Sequence, residues 1–221
     1  MERFRETKRR RFVTPDEMPQ LARAIDDETD EYVRHALWML LLTGLRRGEL
    51  LNAKWTDIDW EQRTLLIPKT KNGEALLAPL SRAAVTRLKS VPQLQGNPYI
   101  FCGHKTGQHF VNLTHAWSRV RSAADLNDLR IHDLRRTVGS WLVRDGASLH
   151  LVGTVLNHKD QKTTAGYEPS RNGSAYPMSA SPRPAGGRTY QLPTAVTGRE
   201  LPPVSRAASK LCRRFAPDAA M

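Results

Sequence analysis

The chain has 221 residues, enough for one full hydrophobic core, and its C-terminal stretch would have to fold by itself to form a second domain. Its 34 Lys and Arg residues outnumber its 22 Asp and Glu residues, and the resulting net charge of +12 favours a polyanionic partner such as a nucleic acid. The longest apolar run, residues 36–42, is far shorter than the ~18 residues of a spanning helix, so we expect no membrane segment.

The N-terminal segment and the cysteines exclude two further classes of protein. The first eleven residues are basic but precede no apolar stretch, so we expect no secretory signal peptide and take a cytoplasmic location as the default. Cys102 and Cys212 lie far apart, with no CxxC pair and no Cys/His ligand pattern. We therefore expect neither a disulfide framework nor a structural zinc site.

Helical periodicity with capping residues dominates the chain. The first helix has the clearest start, because Thr14 can cap it, Pro15 suits its first position and Glu17 can return a capping-box bond. Gly44, just past the second helix, favours the left-handed conformation that ends helices, and this places Arg46 at the start of the third. The predicted helices span residues 14–25, 31–42, 46–53, 81–91, 112–124, 134–145 and 149–157, followed by a turn over 162–167.

Three short runs after the third helix predict strands, over residues 55–60, 64–68 and 75–79. The last two runs are joined by a segment that contains Asn72 and Gly73, a pair typical of hairpin turns. The predicted fold class is therefore mainly α with a small antiparallel β-sheet, an α+β fold.

The composition changes after Glu168. Residues 170–221 hold half of the 14 prolines, mixed with Ser, Gly and isolated Arg and without any sustained period. We expect a basic N-terminal segment over residues 1–11, one folded domain over 12–169 and a disordered Pro/Arg-rich tail over 170–221.

Two motifs place basic side chains at helix starts. In Thr43-Gly44-Leu45-Arg46, a glycine turn presents a guanidinium that can hold two phosphate oxygens at once. His132 and Arg135 lie three apart and hence on one helical face, where proton transfer and fixed charge can converge on one ligand. Taken singly, the first motif more often marks a surface arginine after a helix cap, and a lone histidine is more often structural than catalytic.

A third motif joins His158 to Tyr167 across nine residues. A phenol with an ordinary pKa of about 10 needs cationic neighbours or a base before it can attack a phosphate, and two arginines with two histidines would supply them. An isolated tyrosine would more often be a core residue. Lys71, in the predicted hairpin, could protonate a leaving oxygen, and Lys69 is an alternative that the chemistry alone leaves open.

The ordered segments TGLRRGEL, KTKNGE, IHDLRRT and LNHKDQKTTAGY resemble the boxes of the tyrosine recombinase (phage integrase) family. The resemblance covers residues 12–167 and implies the catalytic-domain fold of that family. It implies that Arg46 and Arg135 clamp a scissile phosphate, that Lys71 rather than Lys69 is the general acid, and that His132 and His158 assist. Tyr167 would be the nucleophile.

The reaction implied by the resemblance is attack of the tyrosine on double-stranded DNA, leaving a 3′-phosphotyrosyl link and a free 5′ hydroxyl. Arginines would stabilise the phosphorane, so neither a metal ion nor a nucleotide cofactor is required. The family also implies a homo-oligomer on paired DNA sites, within the biology of integration and mobile elements.

The chain departs from the family pattern at both ends. From the sequence we expect the helical core-binding domain that usually precedes the catalytic domain to be absent, and the helix that usually follows the tyrosine to be replaced by a Pro-rich tail, as in a truncated or frame-altered gene. Two alternatives therefore stay open beside the recombinase. One is a noncatalytic DNA-binding remnant, and the other is a type IB topoisomerase that relaxes supercoils with similar groups.

Overall fold

A computed structural model describes residues 10–70, 73–103, 107–158 and 164. Within these ranges a three-stranded antiparallel sheet accompanies seven α-helices, which confirms the predicted fold class. Residues 1–9 and the predicted tail over 170–221 lie outside the described ranges. The helices are α1 Met18–Asp26, α2 Glu31–Thr43, α3 Arg47–Leu51, α4 Arg82–Lys89, α5 Thr114–Ala123, α6 Ile131–Arg144 and α7 Leu149–Val155, and the strands are β1 Ile58–Asp59, β2 Thr64–Ile67 and β3 Leu76–Pro79.

The sheet has the order β1-β2-β3, and β2 pairs with β3 as the predicted hairpin. Gly73 at its turn has φ +85° and donates its N–H to the Thr70 carbonyl at 2.9 Å. The predicted strand over 55–60 was wrong in its first half. Trp55–Asp57 form a 3-10 turn, because the Asp57 carboxylate accepts the Lys54 N–H at 3.0 Å and bends the chain before β1 can begin.

The capping pair predicted for the first helix forms, but the helix begins later. The Glu17 carboxylate accepts the Thr14 N–H at 2.8 Å, and the Glu17 N–H donates to the Thr14 hydroxyl at 3.3 Å. Regular helix starts at Met18. Arg11 binds the same Glu17 carboxylate at 2.8 Å, so this carboxylate is shared between the cap and the segment before it.

Helix α6 begins three residues earlier than predicted. The Asp133 carboxylate accepts the Arg130 N–H at 2.9 Å, which caps the helix at Arg130 and brings His132 into its first turn. The ends of α2, α3, α4, α5 and α7 agree with the predictions within two residues. His132 and Arg135 therefore share one face of a continuous helix.

The buried apolar residues form two clusters. The main core is built from α1 to α5, the sheet and the first turn of α6, with Leu21, Leu37 and Phe101 fully buried. The second, which we call the α7 cluster, consists of Val138, Leu142, Val152 and Leu156. Across the described ranges, no helix is both long enough and apolar enough to cross a membrane.

Candidate active site

Arg135 joins three segments of the chain. Its side chain is 4% exposed in the first half of α6. One terminal nitrogen donates to the Gly44 carbonyl at 2.5 Å, and the other donates to the Leu156 carbonyl. A single planar guanidinium thus fixes the turn after α2 against the end of α7, which a point charge on a flexible stem could not do equally well.

The turn after α2 favours glycine at position 44. Gly44 ends α2 with φ +68°, and a Cβ there would meet Leu156 Cδ2 at 2.8 Å and Val138 Cγ1 at 3.3 Å. Both the backbone conformation and the close approach therefore disfavour a side chain. This turn brings Arg46 beside the end of α7.

Arg46 is held by Glu49. One Glu49 oxygen accepts the Arg46 backbone N–H at 3.1 Å, and the other accepts the guanidinium Nη1 at 2.8 Å. The Glu49 side chain is 6% exposed and the Arg46 side chain 23%, so a buried carboxylate orients a partly accessible guanidinium. Glu49 thus occupies the Arg46 N–H, one of the helix N–H groups that the sequence left for an anion, while the guanidinium stays partly accessible.

Both arginines reach the segment that follows α7. Arg46 Nη2 donates to the Asn157 carbonyl at 3.4 Å, next to the Leu156 carbonyl that Arg135 binds. Asn157 has φ +47°, a conformation that asparagine tolerates better than most residues. The chain leaves α7 at this residue, and His158 is the next one.

The two histidines lie in the field of these arginines. Burial, followed by the charge of Arg135, lowers the pKa of His132 below its ordinary value. Burial, followed by the charges of Arg135 and Arg46, lowers the pKa of His158 to about 4. Both rings are therefore neutral at physiological pH, and each then has one N–H donor and one acceptor nitrogen.

These four side chains form one cationic centre. Arg46, His132, Arg135 and His158 come from three separate segments, and each of the histidines feels the charge of both arginines. Fixed guanidinium charge beside two neutral imidazoles can bind an oxyanion and move a proton at the same place. Within the described ranges, no three His, Cys, Asp or Glu side chains lie close enough to hold a metal ion.

A groove with a volume of about 640 Å³ opens beside Arg46. It extends past Lys54 and Tyr99 to Lys69, at the end of β2. Lys54 lies over the Tyr99 ring at 5.5 Å, and the two residues also form a backbone bridge. The groove thus continues the positive charge of the centre along one side of the hairpin.

Two of the six site residues predicted from the sequence, Lys71 and Tyr167, lie outside the described residues. The other four converge as described above. Sequence reasoning missed the carbonyl groups of Gly44, Leu156 and Asn157 as acceptors for the arginines, because backbone acceptors leave no trace in residue types. It also missed Lys54 and Tyr99, which reach the groove through a pairing between distant parts of the chain.

Comparisons with known proteins identify the family to which this chain is related. The sequence profile of the Phage integrase family matches residues 11–172. A tyrosine recombinase of Thermosipho africanus is 30% identical over 174 residues, which are 76% of this chain and 61% of that protein. A shufflon-specific DNA recombinase of Escherichia coli is 33% identical over 131 residues, 58% of this chain and 32% of that protein. The chain thus spans less than two thirds of the length of these relatives.

Solved structures show the same fold. The Tn1549 transposon integrase in complex with circular intermediate DNA superposes with a TM-score of 0.62 at 17% identity, covering 74% of this chain and 62% of that chain. The XerH site-specific recombinase bound to its difH substrate gives a TM-score of 0.59 at 21% identity, covering 71% and 49%. With the profile match over most of the folded residues, the chain belongs to the phage integrase family and has the catalytic-domain fold of tyrosine recombinases.

Proposed function

We propose that this chain carries the catalytic domain of a site-specific DNA recombinase or integrase, with Tyr167 as its nucleophile. The observation that supports this most directly is the meeting of two arginines and two histidines at the end of α7, nine residues before Tyr167. Family membership supplies the reaction class, and the charge of +12 suits a DNA substrate. A DNA substrate also suits a cytoplasmic location.

In the proposed reaction, the Tyr167 oxygen bonds to a DNA phosphorus while the bond from phosphorus to the 5′ oxygen breaks. The phenol proton passes to a neighbouring base, and the leaving 5′ oxygen takes a proton from a general acid. The product is a 3′-phosphotyrosyl link with a free 5′ hydroxyl. Attack by the 5′ hydroxyl of a partner strand reverses the step, so no external energy source is needed and the protein returns unchanged.

Arg46 and Arg135 are proposed to bind the phosphate. Arg46 is accessible and oriented by Glu49, which suits bidentate binding of phosphate oxygens. Arg135 is more deeply buried, but a guanidinium has five N–H donors, so two carbonyl bonds do not exhaust its capacity. Charge fixed before the substrate binds stabilises the phosphorane without reorganisation.

His132 and His158 are proposed to assist the reaction as neutral rings. Because both pKa values are lowered, the imidazoles are neutral when DNA arrives, and a neutral ring can accept the phenol proton or donate an N–H to a phosphate oxygen. A permanently charged histidine could only donate. The low pKa therefore suits a site that already has two fixed cations.

The general acid is proposed to be Lys71, which follows β2 in the sequence. Lys69, two residues earlier, lines the groove that begins at Arg46, and this supports a lysine from the same segment. Lys69 is the competing candidate. The two can be separated with alanine variants of each lysine and a DNA substrate whose leaving 5′ oxygen is replaced by sulfur. Because sulfur leaves without a proton, this substrate should restore cleavage only in the variant that has lost the general acid.

The partner is proposed to be double-stranded DNA, bound by a homo-oligomer on paired sites. The solved relatives carry DNA in their complexes, and the groove of Lys54 and Lys69 could follow a phosphate backbone away from the scissile position. Weakening of binding with rising salt would measure how many such contacts form.

The test is covalent adduct formation on suicide duplexes, in which a nick lets the 5′ fragment diffuse away after cleavage. Labelled duplexes tiled across the DNA that flanks the gene are incubated with the chain and with Tyr167→Phe. We expect an adduct on at least one duplex that disappears in the variant. Binding without any adduct would instead identify a noncatalytic DNA-binding protein, and relaxation of supercoils without joined products would identify a topoisomerase.

A further inference from the structure

Thr164 contacts the candidate site from the far side of His158. Its side chain is 2% exposed, and its hydroxyl oxygen lies 3.1 Å from Nδ1 of His158. The same hydroxyl packs on α7, since a Cβ at Gly153 would meet it at 3.2 Å. A buried hydroxyl in this position has a defined partner, and that partner is an imidazole of the cationic centre.

We propose that Thr164 is a positioning residue whose hydroxyl donates to Nδ1 of His158 and thereby keeps the imidazole proton on Nε2. The statement about the ring rests on the observed contact. Its consequence for DNA cleavage rests in addition on the proposed function. The hydroxyl does not touch the substrate and acts only through the histidine.

The tautomer of the His158 ring follows from its protonation state and its hydrogen bonds. Burial and then the charge of Arg135 hold the pKa of His158 near 4, so the ring is neutral at physiological pH and carries one proton. Which nitrogen carries it depends on the hydrogen bond made by the other nitrogen. Thr164 is bonded to Nδ1, and a threonine hydroxyl can donate as well as accept.

The chemistry of the centre decides between the two directions of this bond. If Thr164 donates, His158 has an N–H at Nε2, which can bond to a phosphate oxygen held by Arg46 and Arg135. If Thr164 accepts, Nε2 carries a lone pair, which repels the same oxygen. A site built around two guanidinium groups is a site for anions, and therefore the donating direction of the hydroxyl is the one that agrees with it.

Gly153 explains why this contact is close. A Cβ at position 153 would lie 3.2 Å from the Thr164 hydroxyl, so that this hydroxyl would have to shift to accommodate it. Glycine within a helix costs about 0.5–1 kcal/mol relative to alanine. The α7 helix therefore carries a residue that weakens it, at a position where a Cβ would crowd the partner of His158.

The test uses the full chain labelled with 15N-histidine, whose imidazole two-bond couplings report the tautomer of each ring. His158→Gln assigns the signal. We expect the Nε2–H tautomer in the wild type and in Thr164→Ser, which keeps the hydroxyl. We expect a mixture of tautomers in Thr164→Val, which keeps the shape and lacks the hydroxyl, and a shift in the same direction in Gly153→Ala.

Adduct formation on the suicide duplex supplies the functional readout. We expect Thr164→Val to slow it about tenfold, the scale of one neutral hydrogen bond, and Thr164→Ser to stay near the wild-type rate. An Nδ1–H tautomer in the wild type, or an unchanged tautomer in folded Thr164→Val, overturns the proposal. If the tautomers behave as expected and the wild type forms no adduct, the positioning role stands and the proposed function fails.

Discussion

The two hydrophobic clusters support the candidate site unequally. Arg46 follows α2 and begins α3, and both helices are anchored in the main core, which contains most of the buried apolar residues. His158 follows α7, whose apolar contacts are those of the four-residue α7 cluster. One half of the cationic centre therefore rests on an extensive core, and the other half rests on a much smaller one.

Helix α6 connects the two clusters. Leu134 belongs to the main core, whereas Val138 and Leu142, one and two turns later, belong to the α7 cluster. Arg135 lies at this boundary and bonds to a carbonyl on each side of it. We infer that the hydrogen bonds of Arg135 compensate for the small buried apolar area of the α7 cluster.

Removal of Arg135 should have the largest effect of any change at the boundary. In Arg135→Ala, we expect each carbonyl that loses its donor to cost about 1–3 kcal/mol of unfolding free energy. We expect adduct formation to fall by about 10²–10³, the usual cost of losing one charge-stabilising donor. Urea unfolding and the suicide duplex measure the two effects.

Arg135→Lys is the matched control, because it keeps the charge and loses the planar fork. We expect stability between those of the wild type and the alanine variant, with adduct formation still strongly reduced. If Arg135→Ala were as stable as the wild type, the guanidinium would not be joining the clusters, and the α7 cluster would be sufficient by itself.

A side chain at position 44 should destabilise the contact between the turn after α2 and the α7 cluster. Gly44→Ala combines a left-handed backbone with a Cβ at 2.8 Å from Leu156, and we expect it to cost about 2–4 kcal/mol from overpacking together with backbone strain. Gly146→Ala is the control, since Gly146 has φ +87° and nothing within 4 Å of an added Cβ. The difference between their unfolding free energies isolates the contact with the α7 cluster, and equal losses would show that the contact relaxes.

The two clusters can be compared directly with one pair of conservative changes. Val152 in α7 and Val120 in α5 are both almost completely buried, so each change to alanine should cost about 1–2 kcal/mol from the same loss of two methyl groups. In Val152→Ala, we expect faster amide hydrogen exchange confined to α7 and slower adduct formation. In Val120→Ala, we expect neither. If amide hydrogen exchange changed in the same way in the two variants, the main core and the α7 cluster would not stabilise separate parts of the site.

Much of this architecture was predictable from the sequence, because it depends on local patterns. Helix periodicity, the hairpin at Gly73 and the glycine after α2 each act through residues close in sequence. The first half of the strand predicted over 55–60 was wrong because the Asp57 carboxylate accepts the Lys54 N–H, a local competition that alternating apolar residues do not show. Side-chain capping of this kind moved the start of α6 as well.

The site was only partly predictable for a different reason. Motif spacing was enough to name the two arginines and two histidines of the centre. The hydrogen bonds that hold the arginines in place, however, run to backbone carbonyls far away in sequence, as from Arg135 to Gly44. The role of Thr164 was hidden in the same way. A threonine six residues after a histidine carries no pattern of its own, and its burial and its contact with His158 are visible only in the structure.

The smallest expected effect is the pH dependence of stability, which sharpens the comparison because each cluster has its own histidine. The pKa of His158, beside the α7 cluster, is lowered to about 4, and burial also lowers the pKa of His35, in α2 of the main core. A histidine whose pKa is lower in the folded state takes up its proton on unfolding. Its contribution to stability is therefore present above about pH 6.5 and is lost as pH falls toward the folded pKa.

Urea unfolding at pH 7.5 and 5 should show a loss of unfolding free energy at the lower pH that His158→Gln and His35→Gln each reduce. Of these two variants, only His158→Gln should also change the pH dependence of adduct formation, because His158 borders Arg46 and Arg135, the proposed phosphate ligands, whereas His35 lies in α2. A loss of stability that neither variant reduces would assign the effect to groups outside both clusters.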